Sequence, residues 1–291
     1  MKLALGTAQF GLDYGVSNTS GQVAADEVRR ILQKAAEFGI SVLDTAAGYG
    51  NAEAVLGQCL PEGASFSIVT KIQPLKAVCV DDTGLRQVAA NFEASLSRLG
   101  RNSVHGLLVH HSGDLLLPGG ERLYAMLRQW QADGRVSKIG VSVYGRAEID
   151  ALFDRYVFDL VQLPLNVFDQ RLVLDGTLKV LHGAGVEIHA RSVFLQGAVL
   201  LEPSDLPAHL RELKPYLDEF QGIARDRKMS PLAAALGFVK NIPEIAVALI
   251  GVLSARQLQE CIDAYNLAEP TSFSHCSVAS ESLVDPRCWP N

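Results

Sequence analysis

Four side chains that could together transfer a proton occur within the first 110 residues: Asp44, Tyr49, Lys71 and His110. Asp44, Lys71 and His110 each close a short apolar run, and Tyr49 follows Asp44 on a turn that contains two glycines. The loop after a strand is where an α/β enzyme exposes its chemistry. Taken singly, each residue is explained as a solvated or packing side chain. Together, the four residues indicate a site.

This combination suits the reduction of a carbonyl group. A tyrosine hydroxyl has a pKa of about 10, which matches neutral pH poorly, and an ammonium group within a few Å lowers it. Asp44 would keep Lys71 charged and in place beside Tyr49. Tyr49 could then donate a proton to a carbonyl oxygen that gains charge as hydride reaches the carbon, while His110 orients that oxygen. The alternative makes Lys71 a Schiff-base nucleophile in an aldolase-like barrel, which needs neither the tyrosine nor a cofactor.

The elements that must position these residues alternate regularly along the chain. Apolar runs predict eight strands, at residues 3–8, 40–44, 66–71, 104–110, 138–142, 159–163, 186–192 and 245–251. Amphipathic runs predict helices at residues 26–36, 86–99, 119–130, 147–153, 172–181, 206–227, 231–239 and 255–264. Strict β-then-α alternation predicts a parallel sheet. We therefore expect an α/β fold, the (β/α)8 TIM barrel, with an open doubly wound sheet as the alternative.

In a barrel, the carboxyl ends of neighbouring strands converge on one face, and the four candidate residues belong to the second, third and fourth strands. No linker, low-complexity tract or block of charge divides the chain, so we interpret residues 1–291 as one domain. Residues 269–291 are rich in Ser and Pro and show no period, which predicts an extended C-terminal tail over the barrel.

Composition argues against several functional classes. The net charge of −6 gives no reason to expect nucleic acid or an anionic membrane as a partner. The most apolar stretch, residues 245–253, is about half a membrane span, and the first residues do not resemble a signal peptide. The 5 cysteines are scattered without a CxxC motif, which favours a reduced, cytoplasmic chain. No metal is expected, because the adjacent His110 and His111 point to opposite sides of an extended chain.

The motifs around the four residues resemble those of the aldo-keto reductase family over most of the chain. The matching segments are residues 6–11 (GTAQFG), 43–50 (LDTAAGYG), 70–71 (TK), 95–99 (SLSRL), 107–110 (LLVH) and 134–142 (GRVSKIGVS). The resemblance implies a (β/α)8 barrel that reduces a small aldehyde or ketone with a nicotinamide cofactor, usually NADPH. It also implies a catalytic tetrad of Asp44, Tyr49, Lys71 and His110, with the tyrosine as proton donor.

The resemblance further implies a cofactor site along the carboxyl ends of the strands. Ser142 and Gln162 match residues that hold the nicotinamide carboxamide, whereas the asparagine usual after that serine is Val143 here. Arg191 replaces the aromatic residue that stacks on the nicotinamide, and we hypothesise that its flat guanidinium stacks instead. The expected cofactor contacts are Gly6, Thr7, Asp44, Ser142, Gln162, Arg191, Ser192, Phe194, Gln196, Gly197, Gly251, Ser254, Arg256, Gln257 and Glu260.

NADPH is the expected cofactor, with NADH as the alternative, because no basic residue precedes Arg256 at the adenosine end. The expected walls of the substrate pocket are Tyr14, Tyr49, His110, His111 and Trp289. The same residues would serve an aldose-type dehydrogenase that runs the reverse reaction. A cofactor-sensing regulatory subunit with little turnover is the alternative from another class. The oligomeric state is left open, with a monomer among the options.

Overall fold

The computed structural model describes residues 2–290, and its centre is a closed barrel of eight parallel strands in chain order. The strands are β1 (Lys2–Gly6), β2 (Val42–Asp44), β3 (Ser67–Ile72), β4 (Val104–Val109), β5 (Val136–Ser142), β6 (Leu160–Pro164), β7 (Glu187–Arg191) and β8 (Val247–Gly251). Because β1 pairs with both β2 and β8, the sheet has no edge. The predicted (β/α)8 barrel is confirmed, and the open doubly wound sheet is wrong.

Helices surround the barrel. They are α1 (Ala25–Glu37), α2 (Ala52–Cys59), α3 (Asp82–Leu99), α4 (Gly120–Ala132), α5 (Arg146–Phe153), α6 (Arg171–Leu174), α7 (Thr177–Gly183), α8 (Lys214–Asp226), α9 (Pro231–Lys240), α10 (Ala255–Leu267) and α11 (Glu281–Val284). Their ends follow local chemistry. Asp81 caps α3 by accepting a hydrogen bond from the Gly84 N–H at 2.8 Å, and Gly100 ends that helix with φ 62°. None of these helices is both long enough and apolar enough to cross a membrane.

Two helical predictions differ from the structure, and one helix has no counterpart among the predictions. The helix predicted at residues 172–181 is interrupted between α6 and α7, where Gly176 has φ 78°. The helix predicted at residues 206–227 is a 3-10 turn, Ala208–Leu213, followed by α8 with Pro215 in its first turn. Helix α2 was not predicted.

The register of the strands brings the predicted site residues to one end of the barrel. Gly6 is paired with Asp44, Lys71 with Leu108, and Ser142 with Gln162. The interior also holds an apolar cluster of Val69, Leu108 and Leu160, and lower on β7 the buried His189 pairs with Glu187 at 2.7 Å. The polar groups of the predicted site therefore lie at the carboxyl ends of the strands, above packed side chains of the barrel interior.

The C-terminal segment, residues 269–290, is not extended as predicted. It contains α11 and the two short turns Ser274–Cys276 and Pro286–Cys288. It buries Phe273, Val278 and Leu283 against the rest of the protein, and the Val278 N–H donates to the Phe168 carbonyl at 2.9 Å. The sequence of this segment has no periodic pattern because the segment consists of short turns, and the buried residues of short turns are not regularly spaced.

Candidate active site

A buried lysine links an aspartate to a tyrosine at the carboxyl end of the barrel. The Lys71 ammonium donates to Asp44 Oδ2 at 2.6 Å, to the Thr45 carbonyl at 2.9 Å and to the Tyr49 hydroxyl at 3.3 Å. Lys71 is 1% exposed and Asp44 is 4% exposed. The structure thus brings Asp44, Lys71 and Tyr49 into one hydrogen-bonded chain.

The aspartate is held from several directions. Gln162 Nε2 donates to Asp44 Oδ1 at 2.7 Å, so both carboxylate oxygens have partners. The Thr7 hydroxyl and the Thr7 N–H both donate to the Asp44 carbonyl, each at 2.9 Å. The Thr7 bonds hold the Asp44 backbone at the end of β1, and the bond from Gln162 on β6 orients the carboxylate.

The lysine keeps its proton in this environment. Burial acts against its charge, but the Asp44 carboxylate, followed by Tyr49, outweighs burial and raises the pKa of Lys71 above its ordinary value. Lys71 is therefore a fixed ammonium at neutral pH, and it lies 3.3 Å from the tyrosine oxygen.

The His110 ring lies beside the tyrosine. The two ring centroids are 5.8 Å apart with the planes at 86°. Burial, followed by the charge of Lys71, lowers the pKa of His110 to about 4, so the imidazole is neutral at pH 7. Its Nδ1 is buried and has no hydrogen-bond partner among residues 2–290. A neutral imidazole can orient a carbonyl oxygen without adding a charge.

A cavity of about 550 Å³ opens above these residues and reaches the start of α10. Most of the predicted cofactor and substrate residues line it: Gly6, Thr7, Tyr14, Asp44, Tyr49, His110, Ser142, Gln162, Arg191, Ser192, Phe194, Gln196, Gly197, Gly251, Gln257 and Glu260. Tyr14 lies at its wall, where desolvation and the neighbouring Tyr49 raise the pKa of Tyr14 to about 12. Tyr14 therefore remains a neutral hydroxyl.

Two groups on the cavity wall fit a carboxamide. Ser142 is 4% exposed and Gln162 is 1% exposed, yet both line the cavity. The side-chain NH₂ of Gln162 donates to Asp44, and the side-chain carbonyl oxygen of Gln162 remains as an acceptor. A serine hydroxyl beside that acceptor can donate to an amide oxygen while the glutamine accepts from the amide nitrogen. These residues fit the nicotinamide end of the implied cofactor.

Two predicted wall residues do not line the cavity. The His111 side chain is 64% exposed, and its Nδ1 pairs with Asp114 Oδ1 at 2.9 Å. Trp289 packs against His209, with ring centroids 5.4 Å apart. His111 and Trp289 therefore lie outside the lining of this cavity, and their contact with substrate stays a prediction. The turn before Trp289 presents Arg287 to the cavity instead.

Two predicted cofactor residues also lie outside the cavity lining. Ser254 caps α10, because its hydroxyl accepts from the Gln257 N–H at 3.1 Å. Arg256 is exposed and pairs with Glu260 at 2.9 Å. The first N–H of α10, that of Ala255, donates to Glu27 Oε1 at 2.6 Å. The groups at this end of the cavity are thus already engaged within the protein.

The segment after β7 is conformationally strained. Ser192, Leu195 and Gln196 have φ values of 57°, 46° and 56°, and Gly197 has φ 100°. A non-glycine residue in this region costs about 1–3 kcal/mol, and such strain clusters at ligand sites. The Val16 N–H donates to the Gln196 carbonyl at 3.0 Å, so the loop after β1 meets this segment across the cavity.

Sequence reasoning missed two lining residues that contact each other. The Cζ of Arg191 lies 4.0 Å from the centre of the Tyr144 ring, and the Cζ of Arg287 lies 3.5 Å from it. The sequence could have indicated Tyr144, because this residue follows the end of β5 by two positions. It could not have indicated Arg287, because the turn that carries Arg287 belongs to the aperiodic C-terminal segment.

The comparisons with known proteins agree with this geometry. The model of the Aldo/keto reductase family matches residues 2–274. An aldo-keto reductase from Mycolicibacterium smegmatis is 30% identical over 137 residues, which is 45% of this chain and 45% of that protein. The uncharacterized oxidoreductase YtbE from Bacillus subtilis is 27% identical over 181 residues, or 61% of this chain and 62% of YtbE. These matches thus span less than two thirds of either relative.

Solved structures share the fold over a greater length. Aldo-keto reductase AKR11C1 from Bacillus halodurans superposes with a TM-score of 0.74 at 16% identity, over 99% of this chain and 95% of that one. The glycerol dehydrogenase AKR11B4 from Gluconobacter oxydans superposes with a TM-score of 0.65 at 21% identity, over 93% of both chains. At these identities the likeness concerns the barrel. The family assignment rests on the sequence match over residues 2–274, and by it this chain belongs to the aldo/keto reductase family.

Proposed function

We propose that this protein reduces a small aldehyde or ketone to an alcohol, with hydride from a reduced nicotinamide cofactor and a proton from Tyr49. The observation that carries the proposal is the position of the Lys71 ammonium, 2.6 Å from Asp44 and 3.3 Å from the Tyr49 hydroxyl at the cavity wall. In this arrangement a buried ammonium contacts the hydroxyl of a tyrosine that lines the cavity, which supports the tyrosine as the proton donor. Tyr49, Lys71, Asp44 and His110 are the proposed catalytic tetrad.

Each residue of the tetrad has one task in this mechanism. Tyr49 donates its hydroxyl proton to the carbonyl oxygen, and the fixed positive charge of Lys71 stabilises the phenolate that is left. Asp44 holds Lys71 charged and oriented. Neutral His110 hydrogen-bonds the carbonyl oxygen and places it near Tyr49. The same groups would return the proton in the reverse reaction, so alcohol oxidation uses the same site.

The cofactor, when bound, supplies the hydride. Ser142 and Gln162 would hold its carboxamide, and the segment 192–197 would lie along its length. NADPH is the proposed form because of the family resemblance. Against it stands the adenosine end, where Arg256 is already paired with Glu260, so NADH is the alternative. Dissociation constants of both cofactors decide between them, and tighter NADH binding would contradict the NADPH proposal.

The test of the mechanism is Tyr49→Phe. This variant should lose a factor of about 10²–10⁴ in kcat with a panel of aldehydes, the range typical of general acid catalysis, and should bind cofactor as before. Tyr124→Phe is a matched control, because the Tyr124 hydroxyl is bonded to the Val157 carbonyl outside the cavity. Nearly full activity of Tyr49→Phe would refute the mechanism. Tight cofactor binding by the unaltered protein without turnover would favour the sensor alternative.

A further inference from the structure

One cation in the cavity wall has no anionic partner. Arg191 ends β7, and its Nη2 donates to the Val143 carbonyl at 3.2 Å while its Nη1 lies 3.5 Å from the Ser192 hydroxyl. Both acceptors are neutral. No carboxylate among residues 2–290 forms an ion pair with it. An arginine cannot lose its proton in a protein, so this charge is permanent.

The other cations near the catalytic end of the cavity are compensated. Lys71 is paired with Asp44 at 2.6 Å. Arg287 is paired with Asp285 at 2.6 Å and with Glu148 at 3.1 Å. The net positive charge that a ligand meets at this end therefore comes from the remaining arginine of the wall, Arg191.

Arg191 lies close to the reacting groups. It lines the same cavity as Tyr49 and His110. Burial is the main cause of the low pKa of His110, the charge of Lys71 comes next, and Arg191 acts in the same direction. Hydride must pass to a carbon whose oxygen is held by Tyr49 and His110. A nicotinamide ring that delivers this hydride would share the cavity with Arg191.

The two redox forms of the ring differ in charge. The oxidised nicotinamide carries a positive charge and the reduced one is neutral, so only the oxidised ring is repelled by a fixed cation. The Tyr144 ring, whose centre lies 4.0 Å from Cζ of Arg191, packs against the guanidinium and restrains it. We propose that Arg191 makes the site discriminate between cofactor redox states, binding the reduced form more tightly and releasing the oxidised form, which favours carbonyl reduction. This inference rests on the proposed function.

Binding measurements test the inference without turnover. The dissociation constants of NADPH, NADP⁺, NADH and NAD⁺ are measured by calorimetry for the unaltered protein, R191M, R191K and R287M. R191M should lower the ratio of oxidised to reduced Kd at least tenfold, or about 1.4 kcal/mol. R191K keeps the charge and should keep the ratio. R287M is the matched control, because Arg287 also packs on Tyr144 but is compensated, and its ratio should change less than twofold.

The opposite results would overturn the inference. If R191M weakened binding of the oxidised and the reduced cofactor by the same factor, Arg191 would pack on the cofactor without responding to its charge. If the ratio of oxidised to reduced Kd fell in R287M as much as in R191M, the effect would be assigned to Tyr144. If R191M fails to fold, the unaltered protein is titrated with nicotinamide mononucleotide in both redox forms, and equal affinities would refute the proposal. Failure of all four dinucleotides to bind would instead contradict the proposed function itself.

Discussion

At the scale of single residues, the site depends on a charge pair kept almost wholly from water. Lys71 and Asp44 are 1% and 4% exposed, and their separation of 2.6 Å compensates the cost of removing two charges from solvent. Apolar residues of similar volume would serve stability equally well. The pair is therefore explained by the tyrosine that it polarises, and stability alone does not account for it.

The variant Lys71→Met tests how much the buried ion pair contributes to the free energy of unfolding. The substitution leaves the Asp44 carboxylate buried with Gln162 as its remaining side-chain partner, and we expect a loss of about 3–5 kcal/mol in the free energy of unfolding. Urea denaturation measures the loss. The double variant Lys71→Met, Asp44→Asn removes both charges and should recover part of it. A single variant as stable as the unaltered protein would contradict the buried ion pair.

His110 gives a prediction for pH. Because its pKa in the folded protein is about 4 and that of an unfolded histidine is about 6.5, the unfolded chain takes up the proton first as pH falls. His110 should therefore contribute a loss of stability between about pH 6.5 and 4, and none above pH 6.5. Its ring should titrate near pH 4 in an NMR titration assigned with His110→Gln. A midpoint near 6.5 would contradict the neutral imidazole.

At the scale of elements, the barrel strands were predictable because strands buried on both faces are continuous apolar runs. The helix breaks were also signalled, by Gly176 and Pro215, although the predicted helices ran through both. The placement of Arg287 was not signalled, because it depends on contacts with Glu148, 139 residues away along the chain. A local sequence pattern predicts whether a segment is a strand or a helix. Which of its side chains face the site depends on contacts with residues far away in the sequence.

Gly140 tests how tightly the strands must fit. A Cβ at this position in β5 would lie 2.1 Å from the Leu160 carbonyl oxygen and 2.7 Å from a Leu108 methyl group. Gly140→Ala should therefore push β5 from β6, lower stability by about 1–3 kcal/mol and displace Ser142. Gly222→Ala in α8 is the control, since its Cβ would meet nothing within 4 Å. There alanine should add about 0.5–1 kcal/mol, as in any helix interior. Equal effects of both changes on thermal unfolding would contradict the packing.

At the scale of the whole molecule, the cavity is completed by the two ends of the chain. The loop after β1 contributes Tyr14 and meets the strained segment after β7 through the bond from Val16 to Gln196. The C-terminal segment contributes Arg287 to the same wall. Residues far apart in sequence thus surround one ligand space, and the substrate side of that space depends on how firmly the C-terminal segment is attached.

Glu148 is the main polar attachment of that segment near the cavity. Its carboxylate accepts from the Tyr144 N–H at 2.8 Å, from the Ser112 hydroxyl at 3.4 Å and from Arg287 at 3.1 Å. Removing it leaves Arg287 with Asp285 alone. Glu148→Ala should therefore raise the rate of amide hydrogen exchange in residues 283–289 about two- to fivefold, because loss of this half-exposed pair makes a local opening cheaper by about 0.5–1 kcal/mol. The strands of the barrel should keep their protection.

The matched control is Asp218→Asn, which removes an exposed pair with Lys214 on α8. It should leave exchange in residues 283–289 unchanged, since exposed pairs contribute little. If the C-terminal segment shapes the substrate wall, Glu148→Ala should also change kcat/KM for bulky aldehydes more than for small ones. Unchanged exchange at residues 283–289 would mean that the buried side chains of this segment, such as Leu283 and Val284, hold it without help from the carboxylate.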